Sequence, residues 1–110
     1  MKIVDEATTP VFAVAFTDEN DDPVTPLAAW WRLEDVSSGD LITDDTIITT
    51  LSTSVDITLS EFETTIMDKT QFFETKRLKV EWNFGSGKAG RTEFLFRVKN
   101  MRGGEIEATT

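Results

Sequence analysis

Arg77-Leu78-Lys79-Val80-Glu81-Trp82-Asn83-Phe84 alternates polar with large apolar side chains from one end to the other. A period of two is that of a strand with one buried face, so Leu78, Val80, Trp82 and Phe84 line one side. The pattern returns in Arg91-Thr92-Glu93-Phe94-Leu95-Phe96-Arg97-Val98-Lys99, where Phe94, Phe96 and Val98 share a face. Between the two runs lies Gly85-Ser86-Gly87-Lys88-Ala89-Gly90, a glycine-rich connection that reads as the turn of a hairpin. Pairing these strands puts Arg77, Lys79, Arg97 and Lys99 on one outward face, diluted by Glu81 and Glu93.

Working outward, the same period recurs. Residues 11–17 place Phe12, Val14 and Phe16 on one side. Asp18-Glu19-Asn20-Asp21-Asp22-Pro23-Val24-Thr25-Pro26 then ends that strand with turn formers and two prolines. Residues 29–34 form a second strand, with Trp31 and Leu33 on one face and Trp30, Arg32 and Glu34 on the other. Ser37-Ser38-Gly39-Asp40 reads as a turn leading into Leu41-Ile42-Thr43, and residues 46–50 read as a separate β-branched strand at an edge. In residues 54–60, Val55, Ile57 and Leu59 point inward. Ser60 with Glu63 has the spacing of a capping box on a short helical turn.

About seven short strands with regular turn signals and little helix define an all-β chain, read as an immunoglobulin-like Greek-key β-sandwich. Residues 11–102 form the sandwich, residues 1–10 an N-terminal arm and residues 103–110 a flexible polar tail. With no cysteine the core is held by packing, and Trp31 and Trp82 are its expected centre.

The absences narrow function. The 110 residues contain no His, Cys or Tyr, which removes the commonest general base, the thiol nucleophile and the usual zinc ligands. Ser52, Ser54 and Ser60 have no base to activate them, so the chain reads as a binding or assembly protein, not an enzyme. A net charge of −9 disfavours nucleic acid and anionic membrane as partners. No apolar run is long enough to span a bilayer, and the acidic start at Asp5-Glu6 is unlike a secretory signal, which leads to an expectation of synthesis in the cytoplasm. The charge is uneven: cations dominate from Lys76 onward and acids before it.

Two loops invite ligand readings. The acidic loop at residues 18–22 is either a solvated turn or a calcium site of non-EF type, because Pro23 stands where an EF-hand needs glycine. The glycine-rich loop at 85–90 lacks the leading glycine, the hydroxyl and the helix of a phosphate-binding loop, so it reads as a hairpin turn. Asp44-Asp45 reads as a solvated loop. No cofactor and no metal are therefore assigned. The partner-binding candidates are the outward cations Arg77, Lys79, Arg97 and Lys99, with Trp30 and Leu95 as apolar anchors. Cross-strand pairing within the domain is the competing use of those charges.

The run Phe16-Thr17-Asp18-Glu19-Asn20-Asp21-Asp22-Pro23-Val24-Thr25-Pro26, then Trp30-Trp31-Arg32-Leu33-Glu34-Asp35, Ser54-Val55-Asp56-Ile57-Thr58-Leu59-Ser60 and Arg77-Leu78-Lys79-Val80-Glu81, resembles small immunoglobulin-like virion proteins of tailed bacteriophages. It departs at Asp21-Asp22, where a turn glycine is usual. The resemblance implies a structural role in the phage particle. The leading expectation is a capsid decoration protein that binds the major capsid protein on the head exterior as a lattice or homo-oligomer, made in the host cytoplasm. A head–tail or tail accessory ring protein is the alternative within that class. A carbohydrate- or cell-surface-binding module, resting on Trp30, is the alternative outside it.

Overall fold

The computed structural model describes residues 2–68 and 70–101. It is all-β and sandwich-like, with seven strands in two sheets and one turn of 3-10 helix. The strands are β1 (Lys2–Asp5), β2 (Val11–Ala15), β3 (Ala28–Asp35), β4 (Leu41–Ile47), β5 (Ser54–Thr58), β6 (Phe73–Gly85) and β7 (Lys88–Lys99). The larger sheet has the order β1-β7-β6-β3-β4, and β2 pairs with β5 in a second, two-stranded sheet. All pairings are antiparallel except that of β1 with β7.

The hairpin of β6 and β7 is the spine. Its register runs from Phe73↔Lys99 to Gly85↔Lys88, so the turn is tighter than residues 85–90 suggest, and Gly87 takes φ +69 there. Leu78, Val80, Trp82, Phe96 and Val98 are buried on its inner face, where they meet Phe12, Val14 and Phe16 of the β2 segment and Ile57 and Leu59 of the β5 segment. Removing each such side chain from water stabilises the fold by about 1.5–3 kcal/mol. That burial holds the two-stranded sheet in place, since a lone hairpin is marginal in water.

Trp82 is central, as the pattern indicates. Its ring meets Phe16 edge-on at 5.2 Å, and its Nε1–H donates to the Thr17 carbonyl at 3.1 Å, so the indole is buried without an unsatisfied donor. Gly90 lies opposite it in register, and a Cβ there would come within 2.5 Å of the indole. Trp31, expected beside Trp82, is only partly buried at the margin of the core.

Three segments differ from the reading of the sequence. Residues 2–5, inside the stretch read as an arm, form β1, and Val4 is buried against the core. Residues 41–43 and 46–50 are not two strands: β4 is continuous from Leu41 to Ile47, with register irregularities against β3. Asp45 therefore lies on a strand, where Arg32 Nε donates to its Oδ1 at 2.9 Å. β6 begins at Phe73, four residues before the alternation becomes visible. The capping box forms: Ser60 N–H donates to Glu63 Oε1 at 2.8 Å and Glu63 N–H to Ser60 Oγ at 3.3 Å. The tail at 103–110 lies outside the described residues.

Candidate interaction surface

The outer face of the five-stranded sheet collects all six partner-binding candidates. On β6 the odd-numbered residues face out, and register places Thr75 opposite Arg97, Arg77 opposite Leu95, Lys79 opposite Glu93 and Glu81 opposite Arg91. On β3 the outward residues Trp30, Arg32 and Glu34 lie beside Glu81, Lys79 and Arg77. The face is thus a set of cross-strand rows: Glu34–Arg77–Leu95 and Trp30–Glu81–Arg91 set unlike charges side by side, whereas Arg32–Lys79–Glu93 puts two cations together.

Within those rows the cations divide. Arg77 is taken up internally: Nη1 lies 3.5 Å from Glu34 Oε1 and Nε 3.9 Å from Glu93 Oε2. Arg32 is shared between Asp45 and Glu34. Lys79, Arg91, Arg97 and Lys99 form no ion pair among the described residues. Arg97 instead covers the Phe73 ring, with its guanidinium carbon 4.1 Å from the centroid. The pairing within the domain therefore accounts for Arg77, and leaves Lys79, Arg97 and Lys99 available.

Apolar groups flank the cations. Leu95 is 42% exposed, and Ile3, opposite Arg97 on β1, is 54% exposed. At the other margin Ile47, 74% exposed, faces Trp30, which is half-buried. β1 covers only residues 96–99 of β7, so the preceding two-thirds of β7 has one unpaired edge. The nearby edge of β2 is unpaired too, apart from Lys2, whose ammonium donates to the Val11 carbonyl at 3.3 Å and sits over the Phe12 ring. Lysine at an exposed edge hinders indiscriminate strand pairing. A groove of about 590 Å³ runs between these edges, lined by Lys2, Val11, Phe12, Ala13, Glu93, Phe94 and Leu95.

The acidic loop is organised by its own backbone. Asp18 Oδ1 accepts the N–H groups of Asn20 and Asp22, and Asp21 takes φ 63, the left-handed conformation that a glycine would otherwise supply. Among the described residues, no group of three or more His, Cys, Asp or Glu side chains is placed to hold a metal ion.

A second charged cluster was not visible in the sequence reading, and it is buried. Lys76 on β6 is fully enclosed, with Nζ 2.8 Å from Glu74 Oε1 and 3.4 Å from Asp35 Oδ1. Glu74 also accepts the backbone N–H groups of Met67 and Asp68, at 2.8 and 2.7 Å, which fixes the loop before β6. Asp35 Oδ2 accepts both the N–H and the hydroxyl of Ser38, at 3.1 and 2.6 Å, which shapes the turn after β3. Burial pushes the Asp35 carboxyl up, but the Ser38 hydrogen bonds and the Lys76 charge outweigh it and hold it below the usual carboxylate range. The signal was present: Glu74 and Lys76 share the inward phase of Leu78, Val80 and Trp82. A pocket of about 440 Å³, lined by Asp35, Ser38, Asp68, Phe73 and Glu74 among others, opens beside this cluster.

Comparison of the chain with known protein families, curated proteins and solved structures gave no match.

Proposed function

We propose that this chain is a structural protein of a tailed-phage virion, an immunoglobulin-like Greek-key domain that decorates the head by docking on the major capsid protein. The strand arrangement supports the fold reading: β2 and β5 form one sheet, β3, β6 and β7 form the centre of the other, and the chain crosses between sheets at each change. The observation that carries the functional reading is the outer face itself. It presents Lys79, Arg97 and Lys99 without ion-pair partners among the described residues, beside exposed Leu95 and Ile3. Apolar anchors bordered by unpaired charge suit a contact with an acidic surface, with the charges setting register and the anchors supplying affinity. Repeated over many copies, a modest interface of this kind reinforces a shell.

A ring at the head–tail junction uses the same face and remains the second reading, since the open edges of β2 and β7 suit a contact between like copies. Trp30, the residue that spoke for a glycan platform, is half-buried, and this weakens that reading.

The test is the ratio of this protein to the major capsid protein in purified virions, by quantitative mass spectrometry. Copy numbers on the order of hundreds are expected for decoration, and about a dozen or fewer would move the proposal to a ring. Absence from the particle would overturn both.

A further inference from the structure

The buried cluster brings together an amine, a carboxyl in contact with it and a second carboxylate able to carry a proton. We propose that Lys76 Nζ and Asp35 Cγ close an intramolecular isopeptide bond, with Glu74 as the proton carrier, which cross-links β3 to β6 in the mature domain.

Position comes from the sheet. Asp35 and Lys76 are direct cross-strand partners, so their side chains leave the backbone side by side and on the inner face. Nζ rests 3.4 Å from Oδ1, so a short approach brings it to Cγ. Lys76 is 0% exposed, Asp35 2% and Glu74 4%, so the reacting atoms are shielded from solvent. The chain has no cysteine, and this would be a covalent staple of a different chemistry.

The step balances without an added reagent. The Lys76 ammonium passes one proton along its hydrogen bond to Asp35 Oδ1, which leaves a neutral amine and a neutral acid. Nζ then attacks Cγ, the C–N bond forms, and the carbonyl π pair moves onto Oδ2. The Ser38 N–H and hydroxyl, already on Oδ2, stabilise that oxyanion. Glu74 takes a proton from the nitrogen and delivers it to Oδ1, which departs as water when its bond to Cγ breaks. Ammonium and carboxylate become amide and water, and Glu74 ends as it began. The Ser38 hydrogen bonds and the Lys76 charge hold the Asp35 carboxyl low, so the ion pair is the state from which closure starts.

The experiment is intact-mass spectrometry of the purified full chain after overnight incubation at neutral pH, followed by peptide mapping. The expected result is a mass lighter than the sequence by one water, with a branched peptide joining the segments that contain Asp35 and Lys76. Glu74→Gln and Lys76→Arg are expected to restore the full mass. Far-UV circular dichroism of Glu74→Gln checks that its sheet content is kept. A wild-type chain of unmodified mass would overturn the proposal, whatever the variants do. So would a water loss that maps to a succinimide at another aspartate.

Discussion

Lys76 and Arg77 are consecutive in the chain and lie on opposite faces of β6, and each stands between two carboxylates. Lys76 meets Glu74 and Asp35, and Arg77 meets Glu34 and Glu93. Even the β3 partners, Glu34 and Asp35, are neighbours in sequence. The two clusters therefore have the same charges in nearly the same backbone setting, and differ in access to water. Lys76 is wholly enclosed, whereas the Arg77 side chain is 35% exposed and its distances of 3.5 and 3.9 Å are looser. Water screens the outer cluster and makes it replaceable. The inner one has to be complete, because each group left alone there would be a charge without hydration.

The largest effect should come from removing the enclosed cation. Measured against Glu74→Gln, in which no cross-link forms, adding Lys76→Met leaves Asp35 buried without a counter-charge and is expected to cost about 3–5 kcal/mol in urea unfolding. Arg77→Met, one residue away, is expected to cost under about 1 kcal/mol. Equal costs for the two would break the comparison. Adding Asp35→Asn to the Glu74→Gln and Lys76→Met pair should recover most of the loss, since a neutral set of similar size no longer carries a desolvated charge.

Acid provides the next test, read in the Glu74→Gln background, where Asp35 keeps its carboxylate. A carboxyl whose folded pKa is depressed stabilises the protein above its unfolded value, about 3.9, and that contribution disappears as pH falls through the folded value. Melting temperature should therefore drop on acidification below about pH 4, and adding Asp35→Asn should flatten that part of the profile.

Salt separates the clusters further. In about 1 M NaCl the cost of Arg77→Met should shrink toward zero, while that of Lys76→Met stays as it was. The smallest effect on stability belongs to the unpaired face: Lys79→Glu, Arg97→Glu and Lys99→Glu together should move stability by no more than roughly 1–2 kcal/mol. If the proposed decoration role holds, the same change should abolish incorporation into virions, scored by mass spectrometry of particles.

How much of this was legible in the sequence depended on whether apolar residues marked the inward phase. From Leu78 to Trp82 they do, and the strand, its faces and the outward placement of Arg77 and Lys79 follow directly. At Glu74 and Lys76 the inward positions are charged, so alternation of hydropathy vanishes although the strand continues. β1 was illegible because Val4 alone among its four residues is buried, which leaves no alternation to read. Asp44-Asp45 resembles a loop until Arg32 is seen across the sheet from it. The six surface candidates could be placed by parity alone, but which cations are already paired depended on distances.

The parallel pairing of β1 with β7 also sets an order of events during synthesis. The β6–β7 hairpin is local and can close as soon as its turn is made, whereas Lys2–Asp5 has no place to go until Phe96–Lys99 has left the ribosome. Until Phe96–Lys99 has been made, the nascent chain therefore carries Ile3 and Val4 without their strand partner, and the larger sheet gains β1 only once translation has passed Lys99.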